Sequence, residues 1–202
     1  MQELAEGTSV AARTLATSLL GVTVAGLGCG GCAADLADSV EITEVMVASQ
    51  TGAADRGEWF EIHNRSASAV SLGGVVVEIG GLIHEVGDAV VVPADGYLVF
   101  AQSADPAENH MLDADLVYGE ELRMGNSRGS LALFEHDALV AQVEWDSTDH
   151  RVARSRQLSV GAQMTRTLRG SVWCDSTEVD VYGVVDGVAL LGTPGERDAP
   201  CP

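Results

Sequence analysis

Lysine is absent from this chain: its eleven basic residues are all arginine, against thirty acidic ones, for a net charge of −19. Nucleic-acid affinity comes largely from cations that displace condensed counterions, so this balance argues against nucleic acid as a partner. Five arginines do fall between Arg151 and Arg169. Within that stretch RVARSRQ (Arg151–Gln157) is expected to be an exposed loop whose charges answer nearby carboxylates. Helical periodicity is almost missing beyond Val40, which argues against a helical body. Catalytic motifs are missing as well. His63, His84, His110, His136 and His150 are scattered with no HExxH pattern, no GxSxG occurs, and no cysteine has a catalytic context. Neither internal repeats nor a low-complexity tail is visible.

What is present fits one domain behind a leader. The chain has 202 residues, 46% of them hydrophobic, and 23 glycines, enough to bury a core and to make many turns. Thr14 to Gly28 reads TLATSLLGVTVAGLG and carries no charge. It is too short and too rich in Gly and Thr to span a bilayer well, but has the size of a signal-peptide hydrophobic region. A start at Val10 would leave Arg13 as its leading cation. The run ends in GLGC and resembles a bacterial lipobox, which implies cleavage before Cys29 and lipid on that cysteine. Residues 1–28 are therefore expected to be a lipoprotein-type signal peptide and 29–39 a short tether.

Cysteine usage agrees with export. Cys29 and Cys32 form a CxxC with no second ligand pair for zinc and no βαβ context for redox chemistry. Cys174 and Cys201 are expected to form a disulfide in an oxidising compartment.

From Val40 on, short Val-, Ile- and Leu-rich runs alternate with Gly, Asn, Asp and Pro, the pattern of an all-β sandwich or barrel. Strands are expected near Val40–Ala48, Glu58–Asn64, Val70–Ile79, Leu82–Val86, Tyr97–Ala101, Ser130–Glu135, Leu139–Trp145, Met164–Leu168 and Val184–Leu191. Pro93–Gly96 reads as a tight turn, and Phe134–Val140 as a hairpin tipped by His136–Ala138. Gln102–Glu121 reads as a long acidic surface loop. Within Glu58–Asn64, strand alternation puts Phe60 and Ile62 on the core face, and Trp59, Glu61 and His63 on the other. Asn64 is expected to begin a turn. Glu61 is expected to satisfy backbone or hydroxyl donors near a turn, as a partly buried carboxylate must.

Seven segments, in order over roughly 160 residues, resemble the lamin tail domain. ITEVMVA (Ile42–Ala48) is similar to its opening strand. EWFEIHN, comprising Glu58, Trp59, Phe60, Glu61, Ile62, His63 and Asn64, resembles its most specific strand. VSLGGVVVE (Val70–Glu78) resembles the next segment, with Val75 where a Trp usually stands. VPADGYLVFA (Val92–Ala101), the hairpin Leu122–Asp146, VGAQMTRT (Val160–Thr167) and LGTPGERDAP (Leu191–Pro200) complete the series. In the last, Asp198 stands for the usual Asn. The resemblance implies an immunoglobulin-like β-sandwich over residues 40–202 and a non-enzymatic interaction module. No cofactor is implied.

The expected function is that of a cell-envelope lipoprotein whose sandwich binds a protein or surface polymer, held to the membrane by its lipid. The alternative is a Ca²⁺-binding or metal-dependent hydrolase of the envelope. Its candidate ligands are Asp105, Glu108, Asp113 and Asp115 in DPAENHMLDAD, which lack DxDxDG-type spacing.

Overall fold

A computed structural model describes residues 35–198, 200 and 201. The expected signal peptide, Cys29 and Cys32 lie outside the described residues. Leu36–Ser39 makes a single helical turn, α1, capped by the Asp35 carboxylate accepting from Ala37 N at 3.1 Å. Leu36 and Ser39 are buried, so this end of the expected tether packs onto the body.

Fourteen strands are formed by the body. The first seven are β1 (Val40–Met46), β2 (Trp59–Asn64), β3 (Val70–Ser71), β4 (Val76–Ile79), β5 (Leu82–Glu85), β6 (Val91–Val92) and β7 (Tyr97–Ala101). The rest are β8 (Leu116–Val117), β9 (Arg128–Glu135), β10 (Ala138–Asp146), β11 (Arg156–Leu158), β12 (Trp173–Asp175), β13 (Val181–Val185) and β14 (Val188–Leu191). Strands hold 40% of the described residues and helix 2%, so the fold is all-β. A six-stranded sheet runs β12-β11-β1-β2-β7-β8 and a four-stranded sheet β10-β9-β4-β5. Neither closes into a barrel. Both contribute to one apolar core: Ile42, Val45, Phe60, Ile62 and Phe100 from the first, Val77, Ile79, Leu131, Leu133 and Val143 from the second. Phe60 stacks on Phe100 with centroids 4.6 Å apart.

One irregularity in β1 shapes the other face. Its pairing with β2 shifts register between Ile42 and Glu44, so Thr43 is an extra residue. Such a bulge reverses the parity of the residues beyond it. Val40 and Ile42 reach the core before the bulge, and Val45 and Val47 after it. Glu44 is thereby turned to the opposite face, paired with Glu61.

Several expected strands differ in the structure. Val70–Ile79 is two strands, β3 and β4, because Leu72–Val75 turns (Val75 N donates to Leu72 O, 2.9 Å) with Gly74 at φ +78°. Met164–Leu168 forms no strand. It makes a single bridge, Thr167 to Glu144, and the Thr165 hydroxyl donates to the Thr167 carbonyl, diverting a polar group the ladder would need. Val184–Leu191 is not one strand but part of the β13–β14 hairpin. Asp186 and Gly187, at φ +49° and +80°, form its tip, the positive pair that a tight hairpin turn requires.

Gln102–Glu121 is no simple surface loop. It contains β8, parallel to β7, and buries Asn109, His110, Leu112 and Tyr118. RVARSRQ is corrected most. Ala153, Ser155 and Gln157 are buried, and β11 lies inside the large sheet between β1 and β12. Arg156 donates to the carbonyls of Leu168 (2.7 Å) and Trp173 (2.9 Å) and pairs with Asp175 at 3.0 Å. Its hydrocarbon stem is covered while the guanidinium caps backbone acceptors, which is how an arginine enters a β-core.

Cys174 and Cys201 are joined in a disulfide with Cα atoms 5.6 Å apart. The bridge fastens the C-terminal tail to β12 at the sheet edge.

Candidate functional site

The motif strand β2 uses its polar residues to hold neighbouring segments. Asn64 sits at its end, fully buried. Its amide nitrogen donates to the carbonyls of Ser68 (2.8 Å), Val92 (3.2 Å) and Pro93 (2.8 Å). Its oxygen accepts from Ser66 N and Oγ at 3.0 and 2.8 Å. One side chain thus closes its own turn and anchors the Pro93–Gly96 turn. Glu58 accepts from Met124 N at 2.6 Å, and burial raises its pKa to about 8.

Glu61 is more unusual. It is fully buried, its Oε1 lies 2.6 Å from Thr43 Oγ1, and its Oε2 accepts from Gly195 N at 2.7 Å. Beside it Glu44, also fully buried, accepts from Ser155 Oγ and from Thr193 N at 3.0 and 3.2 Å. Thr193 Oγ1 lies 3.1 Å from Glu44 Oε2 and 3.0 Å from Asp198 Oδ1. Three carboxylates from β1, β2 and the tail therefore converge on the Thr193–Gly195 turn. With no buried cation among them, desolvation dominates and mutual repulsion adds to it. Glu61 rises to about 9 and Asp198 shifts upward for the same reasons, while Glu44 is raised by burial against the hydrogen bonds it accepts. The cluster clamps the closing turn, and it holds protons that water would remove.

A second constellation looks catalytic at first sight. Ser49, Asp55 and His110 are all buried, with Ser49 Oγ 2.5 Å from Asp55 Oδ1 and 3.0 Å from His110 Nε2. In a hydrolytic triad the imidazole stands between nucleophile and carboxylate. Here the serine stands between. Asp55 also accepts from the backbone nitrogens of Ser49, Gln50 and Gly57 at 2.9, 3.1 and 3.0 Å, so it organises the loop after β1. A side chain at Gly57 would collide with Ser49 Oγ and His110, so the chain itself covers the hydroxyl. His110, at φ +59°, fastens the loop after β7 to this knot. The group lies beside an open depression of about 520 Å³ but presents no nucleophile to it.

The third site is a cleft of about 240 Å³ between β1, β2, β7, the turn at 159–162 and the tail. His63 bridges Glu41 (3.3 Å) and Asp95 (3.0 Å) and stacks on Tyr97, centroids 4.4 Å apart. The two carboxylate bonds raise the imidazole pKa above its ordinary value.

The Ca²⁺ candidates do not assemble. Asp105 Oδ1 accepts from Ala107 N, Glu108 accepts from Ser103 Oγ at 2.6 Å, Asp115 caps Val99 N at 2.8 Å, and Asp113 is exposed. Among the described residues, no three His, Cys, Asp or Glu side chains are placed to hold a metal ion.

Sequence reasoning found Glu61 and Asn64 but missed Glu44, Asp55, Ser49 and His110. The Thr43-Glu44 pair interrupting the alternation of β1 was the one available signal. His110 is brought to Ser49 only by the fold of a loop with no periodic pattern. No family model matches the chain, and no curated protein matches it.

Proposed function

We propose that this chain is a non-enzymatic binding module of the lamin-tail type, an immunoglobulin-like sandwich carried by an exported, lipid-anchored protein of the bacterial cell envelope. One observation carries the reading. Two segments that resemble that family's motifs, EWFEIHN and LGTPGERDAP, are joined by the Glu61–Gly195 hydrogen bond across 134 positions of sequence. The polar residues of the motif strand are thus consumed in fastening turns, which suits a rigid scaffold that presents a surface. A hydrolase needs a nucleophile or activated water facing an open cleft with a base in reach. The Asp55-Ser49-His110 order offers neither, and in the acidic loop Asp105 and Asp115 cap local backbone while Glu108 accepts from the Ser103 hydroxyl.

Capture of an envelope protein or polymer by the purified chain, with no turnover of ester, phosphate or peptide substrates, is the expected result. A hydrolytic rate abolished by Glu61→Gln in a folded protein would overturn the proposal.

A further inference from the structure

Arginine in this chain is outnumbered nearly threefold by carboxylates, so an arginine left without one is informative. Seven are ion-paired: Arg56, Arg65, Arg151, Arg154, Arg156, Arg166 and Arg169. Among the described residues Arg123, Arg128 and Arg197 make no ion pair; of these Arg197, which makes no hydrogen bond either, lines the cleft beside His63 and Tyr97. Arg65 lines the same cleft, 3.9 Å from Glu41, with its Nε donating to Asp38 O. The opposing charges are muted. Glu41 is engaged by His63 and Arg65, and burial holds Asp198 protonated well above the usual carboxylate range. The cleft thus sets two arginines, Arg197 and Arg65, beside Glu41 and Asp198.

Its other wall is aromatic. The Tyr97 ring is backed by the parallel His63 ring at 4.4 Å. Its hydroxyl has no hydrogen-bond partner among the described residues, which leaves it available to a ligand hydroxyl. The walls are also fixed. Arg197 follows the turn clamped by Glu44 and Glu61, and the 159–162 turn is tied to the tail through Cys201 N donating to Ser159 Oγ at 3.0 Å. Prior fixing of this kind lowers the entropy cost of binding.

We propose that this cleft binds the carboxylate and ring of an acidic saccharide unit, Arg197 and Arg65 taking the carboxylate and Tyr97 the ring face. Guanidinium matches carboxylate geometry with two parallel donors, and an aromatic face suits the C–H face of a sugar. About 240 Å³ holds one ring-sized unit rather than a strand or helix. Backbone in the 159–162 turn is paired internally (Ala162 N donates to Ser159 O, 2.9 Å), so the cleft offers side-chain chemistry rather than a peptide-pairing edge. The proposal rests on the binding-module reading and names the ligand class for it.

The test titrates the purified full chain with trigalacturonate and with its methyl ester, following binding by calorimetry. The free acid should bind and the ester should not. Arg197→Gln and Tyr97→Ala should each weaken binding by about tenfold or more, the worth of one charge-assisted bond or aromatic contact. Arg128→Gln, an exposed arginine away from the cleft, should leave it unchanged. Equal binding of acid and ester, no binding into the millimolar range, or an unaffected Arg197→Gln would each overturn the proposal. A short peptide that binds through its C-terminal carboxylate, where trigalacturonate does not, would overturn the saccharide assignment. The two readings fail separately. Envelope capture that survives Arg197→Gln sinks the cleft and leaves the module, whereas hydrolytic turnover sinks the module.

Discussion

Replacing Glu61 by glutamine should stabilise this protein at neutral pH and leave it nearly unchanged in mild acid. In the folded chain the Glu61 carboxyl titrates near 9, against 4.5 for an ordinary glutamate, because burial and the neighbouring Glu44 oppose its charge. A folded value raised above the unfolded one means that the native state keeps a proton the unfolded chain releases. This contribution is fully present below about pH 4.5 and is lost as pH rises toward about 9. Between about pH 4.5 and 7 the loss amounts to roughly 3 kcal/mol, at about 1.4 kcal/mol per pH unit.

Glutamine reproduces the protonated geometry. Its NH₂ can donate to Thr43 Oγ1, and its carbonyl can accept from Gly195 N, the two contacts Glu61 makes. Glu61→Gln should therefore match the parent near pH 4.5 to 5 and exceed it by roughly 3–4 kcal/mol near pH 7.5, raising Tm by about 6–16 °C. Thermal unfolding of both proteins across that range is the assay. Glu61→Ala is the control. It leaves Gly195 N without a partner and opens a void, so it should lose about 2–4 kcal/mol near pH 4.5, a deficit that shrinks towards neutral pH as the parent loses its own Glu61 contribution. A parent whose stability climbs from pH 5 to 8, or a Glu61→Gln protein equally weakened throughout, would show that the clamp works with an ionised carboxylate and refute the reasoning.

Reduction of Cys174–Cys201 reopens a 27-residue separation, and should cost roughly 3.5 kcal/mol by the chain-entropy relation, read from denaturant midpoints with and without reductant. Asn64→Ala removes one buried amide group that donates to three turn carbonyls and should destabilise by about 2–4 kcal/mol, with Asn64→Asp worse, since it sets a carboxylate against those carbonyls. Arg156→Gln should cost about 2–3 kcal/mol while Arg151→Gln, whose side chain is 73% exposed and pairs with Asp175 at the surface, should cost under about 1 kcal/mol. Equal losses for the two arginines would return Arg151–Gln157 to a surface loop.

The strands were legible where hydrophobic alternation is local. Tyr97–Ala101 has the expected ends, and the β9–β10 hairpin turns at His136–Asp137 as its residues suggest. What stayed hidden depends on partners far away in sequence. Arg156–Leu158 has no apolar alternation of its own and is a strand because β1 and β12 flank it. The Asp186-Gly187 turn was a local signal, masked because the apolar run on both sides reads as continuous. The second half of the clamp was also obscured, since the bulge at Thr43 sets the facing of Glu44 and a simple period of two predicts the wrong side.

The bulge also explains why a strongly acidic protein tolerates carboxylates in its interior. A buried Glu44 and Glu61 would repel if both were charged, and removal of either donor set would strand them. The tail resolves this by supplying Thr193 and the Gly195 amide as donors, and it is itself held twice more, by Cys174 and by Ser159 Oγ. Clamp and tail thus support each other: without the turn the carboxylates keep only the Thr43 and Ser155 hydroxyls as donors, and without the carboxylates the Thr193 and Gly195 amides lack acceptors. Arg197 is carried on that same turn, so its place in the cleft depends on protons kept by Glu44 and Glu61. A rise in pH that ionises them would loosen the turn before it unfolded the sheets, and amide exchange at Gly195 should quicken ahead of exchange at Val99 in β7.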